Sequence, residues 1–332
     1  MNSTDTGEYT AAVIPATGEP TVMACSADMR NIVRQAQVYF ANGKAENTRK
    51  AYASDWAQFT AWCAGEGWGA LPAAPETVAL YLTAITMQGR TLNTLTRRLA
   101  AIKHAHATAG FTSPTTSPVV HAILTGIRRT HGMMAHGSEA LLTEDIKAMV
   151  RALPENVLGT RDRALILLGF AGAFRRSELT AMNMADLDLR QDGLAVTLRF
   201  SKTDQMGQGR LVGIPYGAHE ETCPVKATLD WLAAAQITGG AVFRGLNRAG
   251  HLISDRLSGR AVATIIKRAA DAAGLDSTRY SPHGLRSGHC TSAARAGVDE
   301  RVLMQQTGHR SSAMLRRYVR SGSLFLENSA AA

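Results

Sequence analysis

GLAVTLRFSKTDQMGQGRLVGIP, residues 193–215, breaks the helical period that runs through most of this chain. Two short runs of period two flank the glycine-rich segment Asp204–Gly209, which predicts a small antiparallel hairpin. On either side the apolar spacing returns to about 3.6 residues. Before the hairpin this holds for LLTEDIKAMVRAL (141–153) and RDRALILLGFAG (161–172). After it come CPVKATLDWLAAAQ (223–236), SGRAVATIIKRAADAAG (258–274), LRSGHCTSAARAG (285–297) and DERVLMQQTG (299–308). The second half of the chain therefore reads as mostly helix with one small sheet.

The first half reads as helix alone. Tyr52, Trp56, Phe59 and Cys63 recur at i, i+4, i+7 and i+11, one apolar stripe with Asn47 or Thr48 as its expected cap. Pro75 opens a second helix with the stripe Val78, Tyr81, Leu82, Ile85, proline being tolerated in a first turn. Leu92, Leu95, Leu99 and Ile102 make a third, and VVHAILTGI after Pro118 a fourth. An all-helical bundle over residues 30–130 follows. The acidic, Thr- and Gly-rich residues 1–29 read as a flexible tail. The segment RRTHGMMAHGSEA, with its two His-Gly steps, marks a linker over 131–140. The fold class expected is thus mainly α: a helical bundle, then a mostly helical domain with a small antiparallel sheet.

The chain has 332 residues and 36 Lys+Arg against 27 Asp+Glu, a formal charge of +9. That length suits about two domains, each able to bury a core. Residues 1–29 carry −4, residues 30–135 carry +7, and the remainder carries +6. Two basic domains suit a protein that grips a polyanion from two sides, although a generically basic protein has the same balance. No run approaches the ~18–20 apolar residues of a membrane span, and the first residues lack a basic region followed by an apolar core. Membrane and secreted classes are excluded on this reading, and a cytoplasmic place is expected. The four cysteines (Cys25, Cys63, Cys223, Cys290) lie far apart with no C-x-x-C pair, wrong for a disulfide scaffold or a structural zinc site.

Five places in the second half can carry chemistry: Arg175 in AGAFRRSEL, Lys202 in RFSKTDQ, His283 and Arg286 in SPHGLRSG, His309 in QQTGHRSS, and Tyr318 in LRRYVR. Singly, each has a plain explanation. Arg175 and Glu178 suit a surface i, i+3 pair, Lys202 a solvated hairpin lysine, Tyr318 a core residue and His309 a packed histidine. Together they suit attack on a phosphodiester. A guanidinium fork holds two phosphate oxygens at once and keeps its charge at working pH, stabilising a pentacoordinate transition state without a metal. A tyrosine hydroxyl needs its proton drawn off, for which a nearby His serves, and a departing sugar oxygen needs an acid, for which Lys is suitable. The carboxylate cluster of two-metal nucleases is missing. His283, His289, Cys290 and His309 match no usual zinc spacing.

The ordered set R-R-S-E-L, S-K-T on a hairpin, H-G-L-R, T-G-H and a late Tyr resembles the tyrosine recombinase (phage integrase) family over about residues 30–325. TAWCAGEGWGALPAAPETVALYL also resembles the first domain of its Cre-type enzymes. The resemblance implies a SAM-like core-binding domain over 30–130 and a catalytic domain over 141–322 with the DNA breaking–rejoining fold, the two forming a C-shaped clamp on duplex DNA. It implies that Arg175 and Arg286 bind the scissile phosphate and that Lys202 protonates the leaving 5′-oxygen. His283 would assist Tyr318, the nucleophile of a 3′-phosphotyrosine intermediate. His309 would donate to a phosphate oxygen, at a position where most of the family has His and Cre has Trp. Glu178 would support the first arginine and the histidine. Arg176 adjoins Arg175, but the R-x-S-E-L register favours Arg175.

The function so implied is site-specific DNA recombination on a double-stranded recombination site, with no cofactor and no metal. Type IB topoisomerase-like relaxation, or DNA binding on a retired site, are the alternatives. Cytoplasmic, nucleoid-associated action in a bacterium or from a phage is the matching setting. Beyond Tyr318, the trio Leu324, Phe325, Leu326 follows the break Ser321-Gly322-Ser323. The trio either folds onto its own domain or, as the resemblance implies for 323–332, docks on a neighbouring protomer in a tetramer on two duplexes.

Overall fold

The computed structural model describes residues 31–32, 34–36, 38–39, 43–132, 138–199, 209–253, 255–309, 311–313, 315, 316 and 318. The expected tails at 1–29 and 323–332, and residues 133–137 of the expected linker, lie outside the described residues. The chain divides into two compact units, residues 1–136 and 137–332.

The first unit is a helical bundle: α1 (Glu46–Gly65), α2 (Pro75–Met87), α3 (Leu92–Thr108) and α4 (Pro118–His131). Helix α1 begins ahead of the expected caps Asn47 and Thr48. Ala45 takes the cap position without a side-chain bond, and Glu46 contributes instead, placing a carboxylate at the helix N-terminus and pairing with Lys50 at 2.6 Å. Proline opens α2 and α4, and the Thr91 hydroxyl accepts from the Thr94 amide at the start of α3. The core joins Phe59 and Cys63 to Val78, Tyr81, Leu82, Ile85, Leu95, Ile102, Val120 and Leu124, each apolar side chain stabilising by about 1.5–3 kcal/mol on burial.

A polar pin runs through this unit. Asp55 is buried on α1, and Arg97 donates to both of its oxygens, at 2.6 and 3.0 Å. Arg98, also buried, donates to the Tyr81 hydroxyl at 2.6 Å and to Gln58, with the Asp55 carboxylate 3.8 Å from its Nε.

The second unit runs α5 (Thr143–Arg151), α6 (Val157–Ala171), α7 (Arg176–Ala181), β1 (Leu187–Arg190), β2 (Gly193–Leu198), β3 (Arg210–Pro215), α8 (Pro224–Ala234), α9 (Gly259–Ala272), α10 (His283–Arg295) and α11 (Glu300–Thr307). The predicted hairpin is β2–β3, paired antiparallel with Val196 opposite Val212 and Leu194 opposite Ile214. A third strand, β1, lies on the other side of β2, giving the order β1-β2-β3. Being central, β2 is buried along nearly its whole length instead of alternating, while β3 keeps the alternation. The mainly helical fold with a small antiparallel sheet is otherwise the one expected.

Helix α6 is the spine of this unit: Ala164, Leu165, Ile166, Leu167 and Leu168 are all buried, so this stretch of the helix is apolar on every face. Helix α10 docks by close backbone approach. A Cβ on Gly288 would stand 1.7 Å from the Leu141 carbonyl oxygen, and the Leu141 amide donates to the Gly284 carbonyl at 3.0 Å. Among the described residues no helix is long and apolar enough to cross a membrane.

Candidate functional site

Arg175 occupies the cap position of α7, just after the bend that ends α6. Ala173 in that bend is left-handed, with φ of 48°, a conformation that disfavours a side chain. Its carbonyl is thereby available to accept from Arg286 Nη1 at 2.7 Å. Arg175 and Glu178 do not form the surface pair considered above. The Glu178 side chain is only 1% exposed; its Oε1 accepts from Arg175 Nη1 at 2.7 Å and its Oε2 from the Arg175 amide at 2.9 Å. Glu178 therefore caps its own helix and fixes the guanidinium before it. The neighbouring Arg176 is exposed and lies against Gly259 at the start of α9, away from this pair.

Arg286, on the first turn of α10, is 1% exposed. Besides Ala173 it donates to the Thr307 carbonyl at 2.6 Å, and its Nη2 lies 3.3 Å from His309 Nε2. Burial, followed by the nearby Arg175, pulls its pKa down to about 10. The partners of His309 fix its tautomer. The Thr307 hydroxyl donates to the Leu303 carbonyl at 2.6 Å, so at 2.7 Å from His309 Nδ1 it accepts. Nδ1 carries the proton, and Nε2 receives the Arg286 N–H with its lone pair. Burial, then Arg286 and Arg175, hold this imidazole neutral, with a pKa near 4.

Tyr318 arrives on a helical segment whose described residues include Leu315 and Arg316. Leu315 is buried with Cys290 and Leu303, and Arg316 Nε lies 3.3 Å from Glu300 Oε1. The Tyr318 hydroxyl is then 2.9 Å from His283 Nε2, and its ring lies 6.1 Å from that of His309. Burial pushes the Cys290 thiol up to about 11, as suits a packing thiol. Lys202 lies outside the described residues.

Five of the predicted side chains, with Glu178, thus gather in one place. Sequence reasoning missed Arg210, at the start of β3. Its Nη1 donates to the Gln306 carbonyl at 2.5 Å and its Nη2 lies 3.8 Å from Glu178 Oε2. Its only mark in the sequence is an arginine after a glycine-rich turn, where a solvated charge is ordinary. Among the described residues no three His, Cys, Asp or Glu side chains gather as a metal-holding group. A neutral histidine and three guanidiniums around a single buried carboxylate make a site for an anion, with a histidine-bonded hydroxyl at its edge.

The profile of the phage integrase family matches residues 139–323, which contain every one of these side chains. The chain belongs to the phage integrase family. An integrase/recombinase xerD homolog of Selenomonas ruminantium is 40% identical over 289 residues, covering 86% of this chain and 84% of its own. Tyrosine recombinase XerD of Xanthomonas campestris pv. campestris is 33% identical over 175 residues, about half of each chain (52% and 52%). Among solved structures, XerH site-specific recombinase bound to a palindromic difH substrate, a post-cleavage complex, superposes with a TM-score of 0.55 at 18% identity over 78% of this chain and 72% of its own. A lambda integrase (75–356) dimer bound to a COC′ core site gives 0.52 at 18% identity, over 87% and 93%. These likenesses show the shared fold. The recombinase is accordingly an enzyme of site-specific DNA recombination that exchanges strands by the tyrosine route.

Proposed function

We propose that Tyr318 attacks the scissile phosphodiester of a double-stranded recombination site. Its oxygen bonds to phosphorus, the bond from phosphorus to the 5′-oxygen breaks, and a 3′-phosphotyrosine and a free 5′-hydroxyl result. The reading rests chiefly on the 2.9 Å contact between the Tyr318 hydroxyl and His283 Nε2, which gives the nucleophile a base at hydrogen-bond distance. Arg175 and Arg286 hold the non-bridging oxygens, and Glu178 keeps Arg175 in line. His309 donates to a phosphate oxygen from Nε2, which requires that the incoming anion bring a proton onto that nitrogen. Lys202 gives its proton to the departing 5′-oxygen. The phosphotyrosine keeps the energy of the bond it replaces, so the reverse attack by another strand's 5′-hydroxyl rejoins the DNA.

On this proposal residues 30–130 are the core-binding domain, 131–140 the linker and 141–322 the catalytic domain. The segment 323–332 docks on a neighbouring protomer in a tetramer holding two duplexes. Both units are basic, as phosphate contact requires. The work takes place in the cytoplasm, on nucleoid or phage DNA. A nicked suicide duplex, which loses the strand needed for religation, tests the core of this reading. Wild type should accumulate a covalent adduct with a free 5′-hydroxyl, and Tyr318→Phe should bind the duplex without forming one. An adduct with Tyr318→Phe would place the nucleophile elsewhere.

A further inference from the structure

Arg210 stands at a junction that the proposed chemistry does not use. Its Nη1 donates to the Gln306 carbonyl at 2.5 Å, and its Nη2 lies 3.8 Å from Glu178 Oε2. Gly308 passes so close that a Cβ there would come within 2.9 Å of Arg210 Nε. Gly308 is also left-handed, with φ of 67°, so two separate demands keep a side chain from that position. Each of these neighbours adjoins a residue of the anion site. Glu178 fixes Arg175, and the turn from Gln306 to Gly308 ends in His309. Gln306 is held in its turn, donating from Nε2 to the Ala171 carbonyl at 3.0 Å, on the chain that leads to Arg175.

The side chain is poorly satisfied for its burial. Nε and Nη2 are covered and have no hydrogen-bond partner among the described residues, and its neighbour Arg175 carries the same charge. An apolar residue of similar length would fill the space without unmatched donors, and buried donors left unpaired are rare enough to need a reason. Because these two nitrogens are covered, Arg210 does not reach the phosphate itself. We infer that Arg210 is a positioning residue. It acts through Glu178 and the 306–308 turn to hold Arg175 and His309 at a fixed spacing over the scissile phosphate. The inference rests on the roles proposed above for those two residues.

Arg210→Met keeps the length and removes the charge; Arg210→Lys keeps the charge and loses the fork. Single-turnover adduct formation on the suicide duplex should slow by about 100-fold in Arg210→Met, the scale of an ångström's misplacement. Affinity for a half-site and the melting temperature should hold, and Arg210→Lys should recover part of the rate. Substrate chemistry then identifies the partner. A methylphosphonate at the scissile position removes one charged oxygen and so relaxes the demand on Arg175 and His309. On that duplex the Arg210→Met deficit should shrink by about tenfold, and the deficit of Arg175→Ala should shrink with it. A 5′-bridging phosphorothiolate relieves only the leaving group and should leave the deficit intact.

Wild-type speed in Arg210→Met would overturn the inference. So would an equal loss on all three substrates, or a loss of half-site binding in both variants, since either means a structural role. Recovery on the phosphorothiolate would overturn it too, assigning the effect to the strand that follows Lys202. If wild type made no Tyr318-dependent adduct, both the inference and the reading beneath it would fall, which separates that failure from the others.

Discussion

Arg98 in the first unit, at 6% exposure, and Arg286 in the second, at 1%, are buried arginines treated in opposite ways; the second unit's other buried arginine, Arg161, is paired with Asp162. Around Arg98 stand a tyrosine hydroxyl, a glutamine oxygen and, at 3.8 Å, the buried carboxylate of Asp55. Around Arg286 stand two carbonyls and the lone pair of His309. The nearby carboxylate, Glu178, is bonded to Arg175. Taking a cation out of water costs several kcal/mol, and a partner of opposite charge is what normally offsets it. The first unit supplies that partner and gains a rigid bundle. Arg286 has no bonded carboxylate and keeps a positive field suited to an anion, the arrangement that on the proposed reading stabilises charge in a transition state without reorganisation. Charge balance therefore distinguishes the arginine that holds the fold from the arginine proposed to serve the reaction.

The largest effect that would break this comparison is on rate. Arg286→Met should cut adduct formation by about 10²–10³-fold, the usual loss for one oxyanion donor, while the DNA-free protein melts at or above the wild-type temperature. Arg98→Met should do the reverse, lowering stability by about 3 kcal/mol because it leaves part of the Asp55 charge unanswered. Calorimetry beside single-turnover cleavage measures both, and a lowered melting point in Arg286→Met would end the distinction.

Proton linkage sharpens it further. An ordinary histidine titrates near 6.5, but His309 in the folded chain titrates near 4. Between those values the unfolded chain holds the extra proton, so stability is full above about pH 6.5 and falls as the pH drops toward 4, by up to about 3 kcal/mol. Urea unfolding at pH 7 and pH 5 should show this slope, and His309→Leu should lessen it. A phosphate should restore the missing proton, so half-site binding titrated in two buffers of different ionisation enthalpy should register proton uptake.

Anions should also act without DNA. Sulfate or inorganic phosphate at about 100 times its dissociation constant should raise wild-type stability by about 2.7 kcal/mol and leave Arg286→Met unmoved. The smallest effect concerns the bend between α6 and Arg175. Ala173→Gly relieves a left-handed alanine and should add about 0.5–1 kcal/mol of stability with cleavage unchanged.

Much of this was legible in the residues. Stripes such as Val78, Tyr81, Leu82 and Ile85 are spaced by the helix itself, so their burial follows from the pattern. Strand β1 did not announce itself, because LDLR has four residues and lies at the sheet edge with most of its side chains exposed. The residues of the candidate site could be picked out by type and order, since the proposed phosphoryl chemistry calls for forked cations, a hydroxyl and a base. Arg210 and Ala173 could not. What distinguishes the first is a pair of buried donors without a hydrogen-bond partner among the described residues, where Arg98 and Arg163 have one such donor each, and the second a backbone angle, and neither is written in a residue's identity.

Tyr318 comes last among the side chains of the site, 143 positions after Arg175, and the pocket that seats Leu315 is built from residues already in place. A ribosome therefore finishes the anion site before it makes the proposed nucleophile. A chain stopped early, or clipped ahead of that segment, would keep the arginines proposed to hold phosphate and lack the hydroxyl proposed to attack it. Such fragments should occupy DNA and leave it whole, which a gel shift beside a cleavage assay checks. On the proposed reading, the order of the residues along the chain separates the capacity to hold a phosphate from the capacity to attack it.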